Sequence, residues 1–292
     1  MQLVYLTSLD NLNSFVCKLN NVLEEQYAAT IKEKVRERYG SIALTGNSDC
    51  CCMPEECCSS SSSNDGEYSS SSPVQAATTI GYDIEELEAI PKSSILGVGC
   101  EAPIHFATLK EGETVVDLGS GAGIDVFISA NKVGTQGKVI GIDMTDEMLE
   151  KARKAAKDNG YTTNVEFRKG DIEKKIPVKD NSVDAVISNC VINLTTDKVS
   201  TFKEIYRILR KDGRARMVIS DLVTDREIDT AVNTDKWCSC IDGALTKDNY
   251  LDSIRKAGFE NIEILEEKLY MEEGDKVDGR KITSLVIKAV KD

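Results

Sequence analysis

Histidine is almost missing from this chain: His105 is the only one in 292 residues. A mechanism that needs two imidazoles is thereby excluded, which removes most zinc hydrolases and His-pair acid–base schemes. Positive charge is short as well, with 36 Lys and Arg against 49 Asp and Glu and a net charge of -13. Holding a nucleic-acid backbone takes clustered cations, so no nucleic-acid partner is expected. No apolar run approaches the roughly 18 residues of a membrane span, and no membrane partner is expected. The opening stretch MQLVYLTSLDNLNSFVCKLN lacks a basic start and soon turns polar, so it does not read as a secretion signal. The 41% hydrophobic share still suffices to bury a real core, as one large domain or two small ones.

What is plentiful is cysteine. The ten stand at Cys17, Cys50, Cys51, Cys52, Cys57, Cys58, Cys100, Cys190, Cys238 and Cys240. Secreted disulfide scaffolds are usually short and cysteine-dense throughout. Here the 50–58 segment holds five, and the others are scattered through a chain of ordinary enzyme size. With no export signal, a cytoplasmic location is expected, where these residues are thiols: catalytic groups, ligands or small core side chains.

Leu12, Phe15, Val16, Leu19, Val22 and Leu23 form an apolar stripe at helical spacing, and Tyr27, Ile31, Val35 and Tyr39 form another that Gly40 ends. Two N-terminal helices, or one long one with a break, are expected over 1–44. Residues 45–80 then carry nine serines in two runs, which cannot build a core, and read as a flexible loop bearing the cysteine cluster. Asp83 can cap a short helix, IEELEAI, that Pro91 stops. From 113 onward short apolar strands alternate with amphipathic helices: TVVDLG, KVIGIDM, NVEFRKG, SVDAVISN, ARMVISDL, NIEILEEK and TSLVIKAV supply the strands. That alternation predicts a parallel, doubly wound α/β sheet of Rossmann-like type, with ligands bound outside the carboxyl ends of its strands.

The first strand runs into Asp117-Leu118-Gly119-Ser120-Gly121-Ala122-Gly123. A glycine-rich turn alone is common to NAD, FAD and phosphate sites. Here the spacing is G-x-G-x-G, and Asp117 stands two residues before the loop. A buried carboxylate there repels a pyrophosphate but suits the ammonium of an amino-acid ligand. Asp143, followed by Met144, ends the next strand, the position from which a carboxylate accepts from ribose hydroxyls. Asp171 and Ile172 follow the third strand, where an adenine amino group can find an acceptor beside an apolar contact. Together these fit S-adenosylmethionine, adenosine plus a zwitterionic tail without phosphate, and favour a methyltransferase over a dehydrogenase.

The fourth strand ends in SNCVINL, so Asn189 and Cys190 overlook the cofactor crevice, and the N/D-P-P-Y/F/W motif of DNA amino-methyltransferases is absent from this place. Cys100, in GVGC, lies just before the core domain. Cys238 and Cys240 lie in WCSCIDGAL after the fifth strand. Three distant segments thus offer a thiol to one mouth, and a thiolate trio without histidine points to a soft, thiophilic ligand. Other readings stand beside this one. Cys190 and Cys100 can be small buried residues, Cys238 and Cys240 a redox couple, and the 50–58 cluster a zinc site, although adjacent cysteines are poor tetrahedral ligands together. Cys17 reads as core, and His105 as a helix-start residue.

At these residues the chain resembles the arsenite S-adenosylmethionine methyltransferases, from about Tyr27 to the C-terminus. The resemblance rests on VRERYGSIA, the Ser/Cys-rich loop, GYDIEELEAIP, GVGC, VVDLGSGAGIDVF, SNCVINL and CIDGAL, of which SNCVINL is the most specific. It implies a class I S-adenosylmethionine-dependent methyltransferase fold with N-terminal helices, a cofactor domain over 81–222, and a substrate segment with the last helix and strands over 223–292. It implies Cys100, Cys190 and Cys240 as ligands of As(III), and Gly119, Ser120, Gly121, Asp143, Met144, Asp171, Ile172 and Asn189, with Asp117, as the cofactor site. It further implies that one of the 50–58 cysteines pairs with Cys100 in a disulfide, and a thiol reductant, thioredoxin or glutathione, that reopens it. Arsenite and methylarsenite are the implied substrates, and a monomer is expected. Glu101-Ala102 departs from the family's Gly-Asn after the first arsenic cysteine. Rival readings are a quinone- or sterol-type C- or O-methyltransferase, and a thiol-rich metalloid-binding protein without turnover.

Overall fold

A computed structural model describes residues 9–46, 72–228, 231–270 and 276–292. Helix α1 (Leu9–Thr45) comes first, then α2 (Pro73–Thr79) and α3 (Ile84–Glu88). The α/β core follows as β1 (Thr114–Leu118), α4 (Ile124–Val133), β2 (Lys138–Asp143), α5 (Asp146–Asp158), β3 (Val165–Lys169), β4 (Ala185–Asn189), α6 (Lys198–Ile208) and β5 (Arg216–Thr224). The chain closes with α7 (Thr234–Cys238), α8 (Lys247–Lys256), β6 (Asn261–Leu269) and β7 (Ile282–Val290). Among the described residues no helix is long and apolar enough to cross a membrane.

The strands form one sheet in the order β3-β2-β1-β4-β5-β7-β6. Strands β1 to β5 pair in parallel, each connected through helices or turns that cover a face of the sheet. β7 inserts between β5 and β6 and runs antiparallel to both. This corrects the all-parallel expectation. A parallel neighbour needs a crossover of a dozen or more residues, usually through a helix, and no helix is described between β6 and β7, whose partnership is that of a hairpin. β1 and β4 lie side by side although β2 and β3 come between them in sequence, so the crevice above their carboxyl ends is the topological switch point.

Two further expectations change. The N-terminal stripes belong to one helix, α1, which passes through Gly40. A Cβ at Gly40 would lie 3.2 Å from Glu147 Oε2, so the glycine permits close approach of α1 to α5 rather than ending the helix. The stop comes at Gly46, whose φ of 69° closes the end as its N–H donates to the Ile42 carbonyl. The serine-rich segment also ends in structure. Ser72 caps α2, its hydroxyl accepting from the Gln75 N–H, and Pro73 takes the first turn. Cys50, Cys51, Cys52, Cys57 and Cys58 lie outside the described residues, as does the side chain of Cys17.

Candidate active site

One cavity opens above the switch point, where α1, the glycine loop and the ends of β1, β2 and β4 meet. Its lining includes Asp117, Gly119, Ser120, Gly121, Asp143, Met144, Asp171, Ile172, Asn189, Cys190 and Cys240. The glycine loop holds its shape through backbone conformations that a side chain would resist. Gly119 has a φ of 67°, and a Cβ there would meet Val191 Cγ2 at 2.3 Å. Asp143 ties this loop to β2: Oδ2 accepts from the Gly121 N–H at 2.9 Å, and Oδ1 from the Thr145 N–H at 2.8 Å.

Asp117 is 3% exposed, and among the described residues no donor or cation answers its carboxylate. Burial lifts its pKa well above the usual range, and the nearby Asp125 and Asp143 lift it further. Asp125 is equally buried. Its Oδ2 accepts from the Tyr82 hydroxyl at 2.9 Å, while its Oδ1 has no partner. Burial raises its pKa to about 7. Two buried carboxylates beside the half-buried Asp143 are a costly arrangement for an empty site and a fitting one for a primary ammonium, with Asp143 left to accept from hydroxyls. On that test the residues fit S-adenosylmethionine.

The thiols gather at the cavity's other wall. Cys100, Cys190, Cys238 and Cys240 are all buried, within one apolar cluster that Ile31 and Val35 of α1 and Trp237 of α7 help to close. Cys190 and Cys240 have φ values of 57° and 64°, a left-handed backbone uncommon outside glycine. Such strain persists only where the surroundings impose it and marks functional sites. The surroundings are visible. Trp237 Nε1 donates to the Leu194 carbonyl at 3.1 Å, and Gly243 lies so close to Asn193 that a Cβ would stand 1.9 Å from its carbonyl oxygen. These contacts lock CIDGAL onto CVINL, and the Cys240 thiol donates to the Cys190 carbonyl at 2.9 Å. The neighbouring thiols of Cys100 and Cys240, together with burial, push the Cys190 pKa well above the ordinary value. For Cys240 the bond with Cys190 pulls the pKa down, but burial and the Asp221 charge outweigh it.

Cys100 is placed by Asn189. Its N–H donates to Asn189 Oδ1 at 3.1 Å, while Asn189 Nδ2 donates to the Glu101 carbonyl at 2.6 Å and to the Tyr82 hydroxyl at 3.0 Å. A continuous chain thus runs from Asp125 through Tyr82 and Asn189 to the backbone of Cys100. Glu101 stands 3.6 Å from Lys268 of β6, and Ala102 is buried. Behind Cys190 and Cys240 lies Asp221 of β5, which accepts from the Asn193 N–H at 3.0 Å and the Tyr250 hydroxyl at 2.9 Å. Burial raises Asp221 to about 7 and lowers the neighbouring Lys198 to about 8.

The residues singled out from sequence therefore converge on one cavity wall or the other. Cys100 is set back, reaching the group through its hydrogen bonds rather than lining the cavity itself. Asp171 is engaged by Lys32 of α1, 2.8 Å away. His105 takes no part: it sits in a 3-10 turn with Nε2 2.7 Å from Glu86. Sequence reasoning missed Lys32, Tyr82, Asp125 and Asp221. Only Asp125, eight residues after Asp117 in the first turn of α4, had a positional signal.

A family model described as a methyltransferase domain matches residues 109–258. An arsenite methyltransferase of Halobacterium salinarum is 41% identical over 235 residues, 80% of this chain and 58% of the relative. The arsenite methyltransferase of Homo sapiens is 37% identical over 172 residues, 56% of this chain and 44% of its own length. This chain thus spans about half the length of these relatives. Among solved structures, an arsenic(III) S-adenosylmethionine methyltransferase from Chlamydomonas reinhardtii superimposes with a TM-score of 0.57 at 32% identity, over 75% of this chain and 73% of that one.

Proposed function

Because this chain belongs to the methyltransferase domain family, in the group whose named relatives are arsenite methyltransferases, we propose that it methylates trivalent arsenic from S-adenosylmethionine. The observation that carries the proposal is the convergence of Cys100, Cys190 and Cys240 from three distant segments, two of them in left-handed backbone, beside a cavity with an unanswered carboxylate.

Asp117 and Asp125 receive the cofactor's ammonium, Asp143 its hydroxyl groups, and Ile172 packs against the adenine. Lys32 takes up the charge of Asp171 and Glu173 at the same end of the cavity, 2.8 Å from each. Bound there, S-adenosylmethionine supplies an electrophilic methyl group on a sulfonium sulfur. Arsenous acid is neutral, so the acidic surface does not repel it. Each thiol replaces one hydroxide of the acid, the thiol proton leaving with it as water, so three As–S bonds form with no net change of charge. A free thiol near pKa 8.5 is only about 3% ionised at pH 7, and the neighbouring thiols of Cys100 and Cys240, with burial, keep Cys190 protonated until arsenic arrives. Held by three sulfurs, arsenic keeps its lone pair free, and no general base is needed. Fixing both reactants supplies roughly 7–11 kcal/mol of the barrier.

Methylation takes arsenic formally from As(III) to As(V), and two electrons must return. They come from the bond between arsenic and the Cys100 sulfur: the thiol of one of Cys50, Cys51, Cys52, Cys57 and Cys58 joins that sulfur in a disulfide, the As–S bond breaks with its electron pair returning to arsenic, and one proton leaves. Thioredoxin or glutathione restores both thiols. Methylarsenite needs only two sulfurs, which Cys190 and Cys240 provide. Serine variants test the assignment: Cys190→Ser should lose turnover of arsenite and methylarsenite alike, and Cys100→Ser should lose arsenite far more than methylarsenite. Equal retention of both by either variant would sink it.

A further inference from the structure

Next to the two thiols that suffice for methylarsenite stands a third ligand group that arsenic capture does not use. One carboxylate oxygen of Asp221 and the sulfurs of Cys190 and Cys240 all lie within 4.8 Å of one another, and all three residues are buried. We propose that Cys190, Cys240 and Asp221 are also a site for one soft divalent cation of the zinc and cadmium class, held by two thiolates and a carboxylate with water in the fourth position. The proposal does not rest on methyl transfer, since cation binding is read on the protein alone.

The dimensions suit it. Zinc takes sulfur at about 2.3 Å and carboxylate oxygen at about 2.0–2.2 Å, which places tetrahedral sulfurs about 3.8 Å apart. The present spacing therefore closes on a cation with shifts of about an ångström. The ligands are also held from behind, as metal ligands usually are. Asp221 is oriented by the Asn193 N–H and the Tyr250 hydroxyl, and the two cysteines by their left-handed backbone. Each thiol releases its proton to solvent as it becomes a ligand, so two protons leave per cation. Two thiolates and a carboxylate against a divalent cation leave one negative charge. Buried Lys198, close enough to act on both Asp221 and Cys240, offsets it. Arsenic bound by three sulfurs is neutral and has no use for the carboxylate. Cys100 stays outside the cation site, its sulfur 3.2 Å from the Ser220 hydroxyl.

The two ligands thus share Cys190 and Cys240 and differ in the third: Cys100 for arsenic, Asp221 for the cation. They exclude one another, and the cation blocks arsenic capture while leaving the cofactor half untouched. The test uses the full chain with Cys50, Cys51, Cys52, Cys57 and Cys58 replaced by serine, reduced with a phosphine and titrated with Cd2+. Expected is one equivalent bound with a thiolate-to-cadmium charge-transfer band and displaced by arsenite. Asp221→Asn should weaken Cd2+ on the order of tenfold or more, at least what losing a supporting group costs a metal site, with arsenite affinity unchanged. Cys100→Ser should do the reverse. Cd2+ affinity unchanged in Asp221→Asn, or unchanged when Cys190 and Cys240 are both serine, overturns the site. Should Asp221→Asn fail to fold, the Co2+ spectrum of the parent chain decides: charge-transfer intensity for two thiolates supports the proposal, and for three or four overturns it. Methylation assayed separately on the unsubstituted chain, which keeps all ten cysteines, keeps this outcome distinct from that of the arsenic reading.

Discussion

Replacing Asp117 by Asn should make the ligand-free protein more stable and the cofactor site worse. The carboxylate is 3% exposed, is met by no donor or cation among the described residues, and faces Asp125 and Asp143. An amide of the same shape removes both the burial cost of the charge and its repulsion with those neighbours. It also removes the one group positioned for an ammonium from the strand end. A hydrogen bond to a charged partner is worth about 1.5–3 kcal/mol, so affinity for S-adenosylmethionine or its demethylated product should fall roughly ten- to 150-fold. Isothermal titration measures that loss. Thermal unfolding of the ligand-free protein measures the gain, about 2–4 °C per kcal/mol for a chain approaching this size. The pH dependence supplies the sign. With its folded pKa lifted, Asp117 holds its proton more tightly in the folded state, so stability falls as pH rises from the ordinary carboxylate range to the lifted value. The amide lacks that slope, and the variant's advantage should grow with pH. Unchanged cofactor affinity, or a variant less stable at pH 8 than the parent, would refute the reasoning.

Tyr82→Phe cuts the link between Asp125 and Asn189 and should cost about 1–3 kcal/mol of stability; arsenite turnover should fall more than cofactor affinity, since Asn189 positions Cys100, and steady-state kinetics with each substrate varied will show it. Gly243→Ala puts a Cβ 1.9 Å from the Asn193 carbonyl oxygen and should separate Cys240 from Cys190, lowering arsenite affinity at least about tenfold with cofactor binding retained, as arsenite quenching of Trp237 fluorescence can report. Because the neighbouring thiols of Cys100 and Cys240, together with burial, hold the Cys190 pKa well above the ordinary thiol value, the rate of arsenite capture should still be rising with pH at pH 9, by stopped-flow on the same fluorescence.

What was legible in the sequence was what is local. Asp117, Asp143 and Asp171 declare themselves because each ends a strand of obvious pattern, and in a wound sheet strand ends share one rim. The cysteines could be assigned to that rim by the same logic. The partners of those residues were not legible, because they come from far along the chain. Tyr82 and Asn189 are 107 positions apart, and Lys32 and Asp171 are 139 apart. Asp221 hides inside MVISDLV, a run that reads as an ordinary buried strand. Gly40 misled for a physical reason: glycine marks a helix end by default, whereas here it makes room for α5. The direction of β7 was equally hidden, since an apolar run buried in a sheet looks the same whichever way it points.

The most direct test of the central claim is to incubate the reduced protein with arsenite, methyl-labelled S-adenosylmethionine and thioredoxin or glutathione, and to separate the arsenic species formed. Label in methylated arsenic, abolished in Cys190→Ser while cofactor binding persists, is the predicted result. Confirmed cofactor binding with no label on arsenic would contradict the account.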